Sequence, residues 1–432
     1  MSQRFDAIII GAGPAGSTAA IRLAAAGWSV AIVEKREFPR RKVCGECIAA
    51  SNLPLLDALG IGEQFDALAG PPLQRVGLFV GERRIIAPLP PMAHPHYRWG
   101  RALGREHLDT LLLARAAALG VSVFQPWAVK AHDADGDLHR CTLARTGGAD
   151  IHLQAPVLIH AHGCWEPAPR DENLAAPASR APHRDGDLLA FKATWRDANI
   201  EPGLLPVLAF SGGYGGMVLG DHGLTTLAFC IRRDVLARAR AVHVDSNAAQ
   251  AAFAHVRAYC AGVGEALDTA GLAGSWLAVG PLQPGIREAA MGDGRFAIGN
   301  AAGEAHPILG EGMSMAIQSA WLLSDQLIAH AVRRSRSSLT RSDYAALGVS
   351  YTHAWRSNFA PRLRFAAVCA HLAMRPQVAA PLLPLLQHWP GLLTRGARLA
   401  GKVRQAAVSA EPPPTGQHPH RPHLPPAPGV HP

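Results

Sequence analysis

The sequence predicts an α/β chain: a doubly wound, Rossmann-like parallel sheet interrupted by an inserted antiparallel-sheet domain and followed by C-terminal helices. Three observations carry this. An apolar run over residues 5–10, a glycine-punctuated turn, an alanine-rich helical stretch over 14–26 and a second apolar run over 29–34 make a strand–helix–strand opening. The runs over 76–80 and 84–89 flank Gly81-Glu82 as a hairpin and break the parallel pattern. Residues 295–299 form another buried run, then a glycine-rich loop and a helix with Met313, Ala316, Ile317, Ala320, Leu323 and Leu327 on one face, so the first domain closes late.

Between these points the chain returns to a helix over 105–119, a strand over 121–124 and another over 157–161. Strand-and-turn patterns follow over 204–210, 216–219 and 224–231. The expected domains are a discontinuous cofactor domain over 1–75, 101–170 and 276–330, a substrate domain over 76–100 and 171–275, and a helical region over 331–410. The tail over 411–432 is so rich in proline and histidine that it is expected to be disordered.

Composition narrows the function classes. With 432 residues, 48% of them hydrophobic, the chain can bury two connected cores. The net charge of +9 does not point to nucleic acid, because the arginines are scattered and no basic run is interleaved with aromatics. Seven dispersed cysteines and no secretory signal lead to the expectation of a reduced, cytoplasmic protein. The apolar stretch over 378–393 is broken by Pro381, Pro384, Gln387, His388 and Pro390, which argues against a spanning helix and leaves a peripheral membrane contact open.

Gly11, Gly13 and Gly16 form a GxGxxG directly after a strand and directly before a helix. Gly11 permits the tight turn, Gly13 lets the backbone approach a pyrophosphate, and Gly16 lets helix and sheet pack closely. Glu34 ends the next strand at the spacing of an acid that accepts from a ribose diol, and Ala15 and Lys35 complete this candidate set. One such motif does not separate FAD from NAD. The segment from Gly299 to Met313 does: a helix starting near Gly312 presents free N–H groups and a positive dipole end, which stabilise the negative charge of a reduced flavin. Gly299, Asn300, Gly310, Gly312 and Met313 are its candidate contacts.

With these motifs, residues 5–327 resemble the FAD-dependent superfamily of aromatic-ring hydroxylases, geranylgeranyl reductases and flavin halogenases. The resemblance implies FAD, with NADH or NADPH as reductant. It implies that Arg105, opening the helix Arg-Glu-His-Leu-Asp109, reaches the ribityl-phosphate region, and that the loop Lys42-Val-Cys-Gly-Glu-Cys47 lies beside the flavin ring. The chain departs from the family at Asn300, where an aspartate is usual, and at His162-Gly163, where Asp-Gly is usual. The halogenase branch is disfavoured because no lysine occurs between Lys42 and Lys130 and the Trp-x-Trp-x-Ile-Pro signature is missing. The reductase segment Tyr-x-x-Trp-x-Phe-Pro has no good match, although Tyr214-Gly-Gly-Met-Val-Leu-Gly220 occupies its place. The runs His162-Gly-Cys-Trp-Glu166 and Phe191-Lys-Ala-Thr194 look like flavoproteins of type III polyketide pathways, which act on lipophilic phenols. The expectation is therefore a monooxygenase hydroxylating a lipophilic aromatic or polyketide-type compound. The alternatives are a reductase of isoprenoid double bonds and a flavin-holding protein whose activity has decayed.

The catalytic candidates are Tyr214, His306 and Cys44. Cys44 and Cys47 form a CxxC, readable as a redox pair or, as the resemblance favours, as packing beside the flavin. No second ligand pair follows at zinc spacing, and no metal is expected. Tyr214 lies in the glycine-rich stretch over 211–217 and faces either the substrate or solvent at a hairpin turn. His306 is either a base or a satisfied loop histidine. Arg362, Arg364, Arg395, Arg398 and Arg404 fit a lipophilic substrate delivered from a membrane surface and fit an ordinary helical cap equally well.

Overall fold

Four consecutive buried residues, Ala7–Ile10, have no polar alternation and therefore belong to a strand covered on both faces. They form the centre of a five-stranded parallel sheet in the order Arg295–Ala297, Val157–His160, Ala7–Ile10, Val30–Val33, Ser122–Phe124. The computed structural model describes residues 2–163, 170–171, 183–333 and 340–403. Side chains alternate across the sheet as strand geometry requires. Ala7, Ile9, Val30 and Ile32 pack with the helices Pro14–Ala25, Arg105–Ala118 and Gly312–Arg333, while Ile8, Ile10, Ala31 and Val33 meet a second sheet.

That second sheet is an antiparallel meander of Ala128–Asp135, Leu138–Ala144 and Ile151–Ala155, edged by Ser2–Arg4 and Arg170–Asp171. It contributes Cys141, Leu143, Leu153 and Ala155 to the shared core. The third sheet has eight strands. It joins the hairpin Arg75–Val80 and Arg83–Pro88, turning at Gly81 with a φ of 58°, to Leu204–Phe210, Gly213–Leu219, Thr225–Arg232, Leu188–Arg196 and Gly271–Leu272. Leu277–Leu282 also pairs with Leu188–Arg196, so the segment assigned to the cofactor domain from residue 276 begins with a strand of the large sheet. Backbone pairing decides this, since the Leu188–Arg196 strand has a free edge that only Leu277–Leu282 and Gly271–Leu272 fill.

The helix Arg341–Ala373 starts at a capping box between Thr340 and Asp343 and packs on Gly312–Arg333. The Tyr351 hydroxyl donates to the Ala297 carbonyl at 2.9 Å, tying the long helix to the end of the parallel sheet. The proline-broken stretch becomes three short helices, Pro376–Ala379, Leu382–His388 and Gly391–Leu399. Among the described residues no helix is long and apolar enough to cross a membrane. The expectation for 411–432 falls outside the described residues.

A buried ionic cluster joins the parallel sheet's helices to the eight-stranded sheet. Glu46, 4% exposed and with a left-handed φ of 57°, forms an ion pair with the fully buried Lys192, and its Oε2 accepts from the Thr226 hydroxyl at 2.5 Å. Its Oε1 also accepts from the Arg105 amide at 3.3 Å. Lys192→Met leaves this carboxylate buried without its cation, and unfolding free energy falls by about 3–5 kcal/mol. The double variant E46Q/K192M loses less than the sum of the two single changes, as chemical denaturation will show.

Candidate active site

The turn after Ala7–Ile10 is built for close approach. Gly11 has a φ of 103°, and a methyl group there would meet the Ala161 carbonyl oxygen at 2.6 Å; one on Gly16 would meet the Gly11 oxygen at 1.8 Å. The helix Pro14–Ala25 opens at Gly13 with no side-chain cap, which leaves its first amides free for a ligand. Glu34 Oε2 accepts from the Ala12 amide at 3.1 Å and from Arg40 at 3.3 Å, anchoring the end of the second strand to the turn. Gly11, Gly13, Ala15, Glu34 and Lys35 all line one cavity of about 920 Å³. Gly16, a candidate cofactor contact, does not line it and instead packs against the Gly11 backbone.

Arg105 stands beside this turn. Its Nη2 is 3.5 Å from the position a Cβ would take on Gly13, and it makes two 2.7 Å hydrogen bonds to the Asp109 carboxylate. Burial works against its charge, but Asp109 outweighs burial and holds the pKa above the ordinary guanidinium value. A fixed cation and a row of free amides therefore share one wall of the cavity.

The later loop closes the same cavity with Asn300, Gly310, Gly312 and Met313. Gly310 is left-handed at φ 62° and Gly312 begins the 22-residue helix. Gly299 is set back from the cavity: its own φ is 57°, its amide donates to Ser319 Oγ at 2.8 Å, and a Cβ there would press on Ala15 at 3.0 Å. The glycine cradle, the free start of Pro14–Ala25, Glu34 and Arg105 together fit FAD. His162 also lines the cavity, next to Gly163 with a φ of 86°; residues 164–166 lie outside the described residues.

Tyr214 is not in an exposed turn. It sits within the strand Gly213–Leu219, is 1% exposed, lines the cavity, and lies 2.9 Å from His306 Nδ1 through its hydroxyl. The glycines belong to the strand because Gly215 faces Phe229, whose Cβ leaves only 2.5 Å for a methyl group. Burial, then Cys230 and Glu304, push the Tyr214 pKa well above its ordinary value. Burial, then His371, pull His306 down to about 4. At neutral pH the tyrosine therefore donates and the histidine accepts.

Cys44 lines the cavity half-buried and accepts from the Glu46 amide at 3.4 Å, whereas Cys47 is buried beside Lys402 at 3.8 Å. Both are free thiols. Lys402, which also lines the cavity, pairs with the buried Glu311 at 3.4 Å. Burial raises the Glu311 pKa against the pull of Lys402 and Arg362. Arg362 is thus an interior partner, 3% exposed, and not a surface cation like Arg364, Arg395 and Arg398; Arg404 lies outside the described residues. The sequence offered a signal for Lys192 in the lone lysine of a buried strand, but none for Lys402 or Glu311, whose partners are remote in sequence. The cavity also has an apolar lining from Val207 and Ala209 of the large sheet and from Phe365, Leu372, Leu383 and Leu386 of the C-terminal helices.

Residues 4–183 match the family of the FAD binding domain. Over these residues the chain is similar to an FAD binding domain. Among curated proteins, the flavoprotein is 34% identical over 130 residues to a tryptophan 2-halogenase of Chondromyces crocatus, covering 30% of this chain and 24% of that one. It is 31% identical over 166 residues to a menaquinone reductase of Mycobacterium tuberculosis, covering 38% and 39%. The matches thus span about a quarter to two-fifths of these relatives. The myxobacterial chondrochloren halogenase CndH, an FAD-dependent halogenase, has the same fold at a TM-score of 0.71, with 18% identity over 93% of this chain and 97% of that one. The likeness to CndH shows the fold, and residues 4–183 carry the similarity to an FAD binding domain.

Gly11→Ala adds about 1–3 kcal/mol of backbone strain at a positive φ and a collision with Ala161, so the purified variant will carry less flavin per chain by absorbance. A pH effect follows from His306, lowered to about 4, and His160, lowered by burial and His162 to about 3. Both bind protons more readily in the unfolded chain, near the ordinary value of about 6.5. Their contribution to stability is full above that value and is lost as the pH falls towards about 4. His306→Gln will flatten the dependence of unfolding free energy on pH in this window.

Proposed function

We propose that this flavoprotein is a NAD(P)H-dependent monooxygenase that hydroxylates a lipophilic aromatic or polyketide-type compound. The observation that carries the proposal is Tyr214, in the wall of the cavity that also holds the glycine cradle, with its hydroxyl 2.9 Å from His306 Nδ1. Bound FAD would supply the redox chemistry, taking reducing equivalents from the pyridine nucleotide and activating dioxygen. The chain's own residues do the rest.

Because Tyr214 donates its proton to His306, its oxygen is free to accept from a substrate hydroxyl. As the Tyr214 proton passes to His306 Nδ1, the phenol proton passes to Tyr214, and the ring becomes electron-rich where oxygen is to be added. His306 is suited to this because burial keeps it neutral at pH 7. The exposed His371, whose ring centre lies 5.8 Å from that of His306, is the next group towards solvent. Leu372, Leu383 and Leu386 exclude water from the reacting end and fit a hydrophobic substrate. Leu385 and Trp389 are exposed in these helices, as are Arg395 and Arg398, which fits a cytoplasmic protein meeting a membrane peripherally.

Reduction of an isoprenoid double bond is the second reading, favoured by Cys44 on the cavity wall and by the menaquinone reductase relative. Halogenation has less support in this chain, since residues 43–129 contain no lysine.

Flavin-loaded protein supplied with NAD(P)H, labelled dioxygen and either long-chain phenols or geranylgeranyl lipids decides by product mass. One labelled oxygen is expected; gain of hydrogen pairs without label replaces the monooxygenase by the reductase. A flavin that neither NADH nor NADPH reduces, whatever substrate is present, identifies a flavin-holding protein without turnover. Tyr214→Phe should lower kcat roughly 10²–10⁴-fold while leaving flavin content unchanged.

A further inference from the structure

The helix that carries Arg105 also carries a histidine that the flavin site does not use. His107, in its first turn, lies against the short turn Asp221–Gly223, which connects the strands Gly213–Leu219 and Thr225–Arg232. Its Nε2 is 3.3 Å from Asp221 Oδ2, and one ligand atom each from His107, Asp221 and His222 all lie within 4.8 Å of one another. None of the three lines the cavity.

We propose that His107, Asp221 and His222 form a binding site for a zinc-class divalent cation, one that clamps the cofactor-domain helix to the eight-stranded sheet. Two imidazoles and one carboxylate are the donor set of a borderline metal ion, which takes neutral nitrogen and anionic oxygen together. Metal–ligand bonds of about 2.0–2.1 Å in a tetrahedron put neighbouring donors about 3.3 Å apart, which is the His107–Asp221 separation already present. The carboxylate is oriented from behind. Asp221 is 7% exposed and its Oδ1 accepts from the Gly104 amide at 2.8 Å, which leaves Oδ2 directed to the histidines.

Charge supplies an independent argument. The position a Cβ would take on Gly104 is 3.2 Å from both Asp221 Oδ1 and Glu106 Oε2, so a second carboxylate adjoins the site. The Glu106 Oε2 is buried and has no hydrogen-bond partner among the described residues. Neither carboxylate is paired with a lysine or arginine in the described structure, so the cluster carries negative charge that a cation would neutralise. His222, exposed and held at a left-handed φ of 53°, supplies the mobile ligand, and its ring centre lies 5.4 Å from that of His107. Three protein ligands leave a fourth position for water.

The test uses the full-length, FAD-loaded chain, stripped with chelator and then equilibrated with zinc ion. Zinc retained per chain is measured by atomic spectroscopy, and the zinc-dependent change in Tm by thermal unfolding. His222→Asn preserves the backbone conformation, since asparagine tolerates positive φ; His107→Gln removes a ligand from the helix. Each variant should bind one zinc fewer than the wild type at equal free zinc, with at least about tenfold weaker affinity, and should lose the zinc-dependent rise in Tm. His388→Gln, an exposed histidine elsewhere, should change neither. Histidines of the tail, such as His418 and His420, bind equally in all variants and cancel in the difference. Equal zinc content and an equal rise in Tm for the wild type, H107Q and H222N would overturn the proposal, whatever the enzyme turns over.

Discussion

The carboxylate of Glu46 is the constraint on which the site's layout depends. A charge buried at 4% exposure must be paired, and its partners come from three places: Lys192 and Thr226 from the large sheet and the Arg105 amide from the parallel sheet's helix layer. Satisfying them holds residue 46 at a positive φ and sets the course of the loop around it. The Glu46 amide is thereby aimed at Cys44, and the start of the Arg105 helix is held against the glycine turn. The glycine-turn end and the thiol-bearing wall of the cavity are positioned by one ionic junction between sheets.

The cavity is asymmetric, and the asymmetry has a chemical use. One end combines a glycine cradle, an uncapped helix start and a guanidinium, the arrangement that a pyrophosphate requires. The other end is aliphatic and closed by short C-terminal helices. Tyr214 lines the cavity and is hydrogen-bonded to His306. Their burial separates their proton affinities in opposite directions, so the pair holds one defined protonation state across the neutral range.

Local signals were legible wherever a residue's role depended on its immediate neighbours in sequence. The GxGxxG was readable because strand, turn and helix adjoin within twenty residues, and the helix from Gly312 because its apolar face repeats regularly. The meander over 128–155 escaped detection because its strands carry charged and polar residues at alternate positions and join through short polar turns. Tyr214 was ambiguous since a run of glycines reads as a turn; only the bulk of Phe229 on the facing strand shows why a strand needs them.

The sequence by itself determined the fold class, the glycine cradle, Glu34 and the later cofactor loop, because those features are local and their steric requirements admit few residue types. Tertiary structure alone decided which distant groups meet. Lys192 with Glu46, Tyr214 with His306, Lys402 with Glu311, and His107 with Asp221 are all pairs separated by ninety residues or more. Their usefulness follows from burial and from a partner, and neither exists until the chain has folded.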